Sequence, residues 1–78
     1  MDKAMLEYRL RVAERRVTEG YEDIKRQRKV LADLTRHGDT EAVKRASELL
    51  VRSEDMQATR VIDRGRIIEE LESLRRRS

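Results

Sequence analysis

No cysteine, proline, tryptophan or phenylalanine occurs in this chain of 78 residues, and Tyr8 and Tyr21 are its only aromatics. Without cysteine there is no disulfide framework and no thiolate metal site, which excludes a disulfide-stapled secreted scaffold. Without proline, nothing forces a helix to break. Long apolar runs are also missing: the longest are three residues, such as Leu49-Leu50-Val51, against about 18 for a membrane span. The opening Met1-Asp2-Lys3 has no apolar stretch behind a basic start, so no signal peptide is expected. The expectation is a cytoplasmic protein that does not enter a membrane.

What the chain has is charge. It carries 19 basic and 16 acidic residues, 45% charged in all, with a formal net charge of +3. Leu, Ile, Val and Phe number only 18 of 78, just above the level at which disorder becomes the default. A thick core is out of reach, and an elongated helical protein with a thin apolar seam is the remaining solution.

Gly38 falls almost at the midpoint, within Thr35-Arg36-His37-Gly38-Asp39-Thr40. Glycine closes a helix in the left-handed conformation, and the basic pair before it complements the negative helix end. Asp39 or Thr40 can then cap the next helix, with Glu41 in its first turn. The pattern predicts an all-α fold and a single domain over residues 1–78. Helix 1 is expected at about 2–37, the turn at 38–39 and helix 2 at about 40–75, each helix about 50 Å long at 1.5 Å per residue.

In the first half Leu10, Val17, Ile24 and Leu31 recur every seven residues, interleaved with Leu6, Ala13, Gly20, Gln27 and Leu34. Steps alternating between three and four make the seam of a helix packed at a shallow angle. In the second half the rows are Val43, Leu50, Gln57, Arg64, Leu71 and Ala46, Ser53, Arg60, Ile67, Leu74. Leu49, Met56, Val61, Ile62 and Ile68 widen that face, as in a helix that meets more than one neighbour. Folding back at Gly38 sets Leu6 opposite Leu71, Leu10 opposite Ile67 and Leu34 opposite Val43, to within one helical turn. Ala13 then faces Arg64. Gly20 faces Gln57, leaving room for that side chain or for a close partner helix. The fold expected is an antiparallel two-helix hairpin that pairs into a four-helix bundle or antiparallel coiled coil.

Catalysis has little to work with. His37, the sole histidine, lies beside the turn, and no serine has a histidine base at helical spacing. The carboxylates fall into four-apart pairs with arginine (Glu7/Arg11, Glu22/Arg26, Glu41/Arg45, Glu48/Arg52, Glu72/Arg76), which read as a salt-bridged helix surface. One histidine and no cysteine or alternating Asp/Asn loop argue against a metal. No catalytic, cofactor or metal residue is expected. With sixteen acids and no Trp or Phe, a membrane-surface helix is not expected either.

Nucleic acid is the more serious alternative. Arginine outnumbers lysine 15 to 4, the calculated pI is 9.7, and arginine suits bidentate contact with phosphate. Residues 1–38 hold 10 basic and 7 acidic residues, whereas 39–78 hold 9 of each, so the excess sits on helix 1. Arg9, Arg16, Lys25, Arg26 and Lys29 are the candidate contacts. Interleaved acids and the lack of an aromatic platform count against it.

The stretch Glu19-Gly20 … Ile24-Lys25-Arg26-Gln27-Arg28 … Leu34, then Gln57 and Asp63-Arg64-Gly65-Arg66-Ile67-Ile68-Glu69-Glu70-Leu71, resembles a group of small proteobacterial helical-hairpin proteins. Their pattern reads approximately E-G-x-x-x-I-x-R-Q-R, a short turn, then Q and D-R-x-R-L-L-x-E-L. The resemblance spans about residues 12–71 and departs at Ser53, where those proteins more often carry a bulky apolar or aromatic residue, and at Gly65, where they more often carry an acid. It implies a bacterial helical hairpin and no activity. The function expected is a non-enzymatic, self-associating interaction protein, a homodimer with a possible further protein partner as an adaptor or regulatory subunit. Its packing and oligomer-interface residues are expected to be Leu6, Leu10, Val17, Ile24, Leu31, Leu34, Leu50, Val61, Ile67, Ile68, Leu71 and Leu74.

Overall fold

A computed structural model describes residues 2–77; Met1 and Ser78, the two ends of the expected 1–78 domain, lie outside the described residues. Two helices make up the described residues, α1 (Lys3–His37) and α2 (Thr40–Arg77). They fold back on each other into a rod with extents of 60 × 15 × 14 Å.

Each end has a local cause. Asp2 is not helical: its backbone is extended and its side chain accepts from the Met5 N–H at 2.8 Å, so α1 begins one residue later than the sequence suggested. Gly38 stops α1 with φ 73°, in the left-handed region, and its N–H donates to the Leu34 and Thr35 carbonyls. His37 donates from Nδ1 to the Asp33 carbonyl at 2.7 Å, since a carbonyl can only accept. Between Asp39 and Thr40 the cap is Asp39, whose Oδ1 accepts from the Ala42 N–H at 3.1 Å. Two residues later than expected, α2 ends in Arg75, Arg76 and Arg77. Arginine is a good helix former and its charge suits a helix C-terminus.

Burial is sparse. Leu6, Val17 and Ile24 of α1 and Ile67 of α2 are the buried apolar side chains among the described residues, with Leu6 only 2% exposed. Polar bonds also cross the seam. Gln57 Nε2 donates to the Val17 carbonyl at 2.7 Å, and Gln27 Nε2 donates to Ser53 Oγ at 2.9 Å. The Arg28–Glu54 ion pair at 3.0 Å adds a third link. The first two lie within a turn of the expected pairing, and the Arg28–Glu54 pair lies five residues from it.

Candidate interaction surfaces

The seam is where the sequence departs furthest from a simple apolar zipper. Gln57 is 4% exposed and lies over Gly20. A Cβ built on Gly20 would come 1.8 Å from Gln57 Oε1 and 2.8 Å from Arg60 Nη1. Glycine is therefore favoured here by close approach, not by backbone conformation. Gln57 Oε1 and Gln27 Oε1 are both buried without a hydrogen-bond partner. An unpartnered buried acceptor costs about 1–3 kcal/mol. Polar seam positions in helical bundles often fix register at such a cost.

Of the residues expected to pack, Leu6, Val17, Ile24 and Ile67 are buried, and the other eight (Leu10, Leu31, Leu34, Leu50, Val61, Ile68, Leu71, Leu74) are half-buried. Large apolar side chains also stay outside: Met5, Tyr8, Tyr21, Val30, Leu49, Val51, Met56 and Ile62 are each about half exposed or more. They do not form one widened face. Closing the seam leaves the hairpin with two broad flanks. Leu49 and Met56, seven apart, project on one; Val61 and Ile68, also seven apart, project on the other. A single docked copy cannot cover both sets.

A groove of about 580 Å³ runs along the first flank and is lined by Tyr8, Arg9, Val12, Ala13, Arg16, Arg60, Asp63, Arg66, Ile67 and Glu70. Four arginines and two acids make it locally basic. The second flank carries a groove of about 590 Å³, lined by Tyr21, Ile24, Lys25, Arg28, Glu54, Gln57, Ala58, Val61 and Ile62.

The five basic candidates are thus divided. Arg9 and Arg16 share the first groove, Lys25 belongs to the second, Arg26 pairs with Asp23 along its own helix, and exposed Lys29 lines neither. Arg60 and Arg66 are the residues that the sequence reading missed. The antiparallel register alone brings them beside Arg9 and Arg16, so the fold-back, not a run of basic residues, was the signal.

None of the five expected four-apart Glu–Arg pairs closes among the described residues. Arg26 turns to Asp23, Arg36 to Asp33 and Arg28 across to Glu54, while Arg11 lies 5.9 Å above the Tyr8 ring. Exposed pairs gain so little that arginine exchanges partners at almost no cost. Among the described residues no three His, Cys, Asp or Glu side chains gather as a metal-holding group. No described helix is long and apolar enough to cross a membrane. The chain matches no protein-family model, no curated protein and no solved structure.

Proposed function

We propose that this chain is a non-enzymatic, self-associating helical hairpin of the cytoplasm, working as a homodimeric adaptor or regulatory subunit. The observation that carries the reading is the imbalance in apolar burial: among the described residues four apolar side chains are buried along a 60 Å rod, while eight large ones remain exposed. A chain this short gains little from a single seam, and oligomerisation is a common remedy. A two-fold pair forming a four-helix bundle is the simplest closed assembly. The resemblance to proteobacterial hairpin proteins agrees with this in shape and adds no activity.

The test is light scattering with thermal melts over about a hundredfold range of concentration. We expect twice the 9.3 kDa chain mass and a melting temperature that climbs with concentration, as mass action requires of an associating fold. A 9.3 kDa species whose melt ignores concentration overturns the proposal.

The second reading is a helical nucleic-acid-binding module, and the groove that brings Arg16, Arg60 and Arg66 together favours it. Asp63 and Glu70 in the same groove place it second. Phosphate-driven binding weakens linearly in log salt. If this reading holds, RNA or DNA is retained at low salt, released as salt rises, and lost when Arg16 and Arg66 are both changed to glutamate. A gel-retardation series at two salt concentrations checks it, and absence of retention at the lower salt removes it.

A further inference from the structure

On α2, Val51, Glu54, Ala58, Val61, Gly65 and Ile68 alternate three and four apart. This is the same spacing as the seam, but set to one side of it on the second flank, so α2 carries two seams and the hairpin closes only one. Resting on the self-association reading, we propose that this second seam docks onto the same seam of a second copy, antiparallel, about a two-fold axis between residues 59 and 60.

Three observations select that occupant and that direction. The first is position. The row is centred near the middle of α2, so a two-fold axis there overlaps two 60 Å rods along their whole length. On the other flank Leu49 and Met56 are centred six residues nearer the turn than the middle of α2, and an axis through them would shorten the overlap to about 40 Å at 1.5 Å per residue. A stable interface takes about 800 Å² per partner, roughly an eighth of the 6334 Å² surface. Full-length overlap reaches that easily.

The second observation is charge. The matching flank of α1 runs Glu7, Glu14, Tyr21, Arg28, with Lys25 beside the last two. Glu7 and Glu14 lie toward one end, where Lys3 and Arg75 border the Glu7 groove, and Lys25 and Arg28 lie toward the other. Antiparallel docking sets Glu7 of one copy against Lys25 and Arg28 of the other, twice over, whereas parallel docking sets like against like. Arg11 breaks the order, and its guanidinium lies 5.9 Å above the ring of Tyr8, which borders the first groove.

The third is shape. In this register Val51 meets Ile68 of the other copy and Ala58 meets Val61, a small residue against a β-branched one. Gly65 faces Glu54, which is held by Arg28 at 3.0 Å. Nothing lies within 4 Å of where a Gly65 Cβ would stand, so the space over Gly65 is free to receive that ion pair.

The chain's lack of cysteine makes disulfide mapping direct. Val51→Cys and Ile68→Cys are prepared as separate single variants, with helical content checked by circular dichroism. Under mild oxidation we expect a mixture of the two to yield a covalent dimer rapidly. Neither variant alone should do so, since two copies of residue 51 then stand about 25 Å apart at 1.5 Å per residue. Rapid cross-linking of Val51→Cys with itself overturns the antiparallel register. No cross-link in a mixture that light scattering shows to be dimeric overturns this face and leaves self-association standing. A monomer by light scattering overturns both.

Discussion

Gly20→Ala lowers the melting temperature, and the same substitution raises it once Gln57 is alanine. Helix propensity alone gives alanine an advantage of about 1 kcal/mol over glycine inside a helix, so the expected loss has to come from contact. The new Cβ would stand 1.8 Å from Gln57 Oε1 and 2.7 Å from its Cδ. Ends of flexible side chains often yield, but this one is 4% exposed and tied to the Val17 carbonyl at 2.7 Å. Making room breaks that bond or spreads the helices. Overpacking costs about 1–3 kcal/mol, and losing a buried hydrogen bond costs a similar amount. The propensity gain is outweighed, and a net loss of about 1–3 kcal/mol is expected, roughly 5–20 °C for a domain of this size. In the Gln57→Ala background the nearest remaining side-chain atom is Nη1 at the mobile end of Arg60, and the gain of about 1 kcal/mol should reappear. Thermal melts of the four proteins form a double-mutant cycle whose coupling exceeds 1 kcal/mol on these estimates. If Gly20→Ala stabilises both backgrounds, the close approach is not a constraint.

Much of this was legible in the residues, because the governing effects are local or periodic. Gly38 between a basic pair and Asp39 marks the turn, and the three-and-four spacing marks the seam. The fold-back about Gly38 already placed Gly20 against Gln57. What stayed hidden was set by the third dimension. Gly20 and Gly65 both lie inside helices, yet one lies under a buried amide and the other opens onto empty space. Leu49 and Met56 seemed to share a widened face with Val61 and Ile68, because the eye follows one helix and not the two flanks that a closed hairpin leaves. The basic candidates were sought along α1, whereas the groove takes Arg60 and Arg66 from α2. Ion pairs were the least legible of all, since exposed arginines choose between neighbours separated by a few tenths of a kcal/mol.

Ile67→Ala lowers the hairpin's melting temperature sharply at every protein concentration, whereas Ile62→Ala acts only where copies associate. The two isoleucines are five residues apart on α2 and chemically identical, but Ile67 is 5% exposed and Ile62 is 54% exposed. Truncating a buried isoleucine to alanine costs about 2–5 kcal/mol through lost transfer energy and the cavity left behind. A chain of this length typically holds about 4–12 kcal/mol in total. With so few buried apolar side chains, no neighbouring layer can collapse into the gap. The Ile67→Ala loss should therefore be present at every protein concentration. At an exposed position the same truncation stays within about 0.5 kcal/mol, so dilute Ile62→Ala should melt like the parent. Ile62 borders the groove of Val61 and Ala58, at the edge of the proposed docking seam, and its cost should grow as concentration drives copies together. Circular dichroism melts of both variants at low and high concentration separate the two behaviours. An Ile62→Ala cost that is large even at high dilution would mean that Ile62 belongs to the fold of the single hairpin. A cost that stays negligible at high concentration would place it outside any interface.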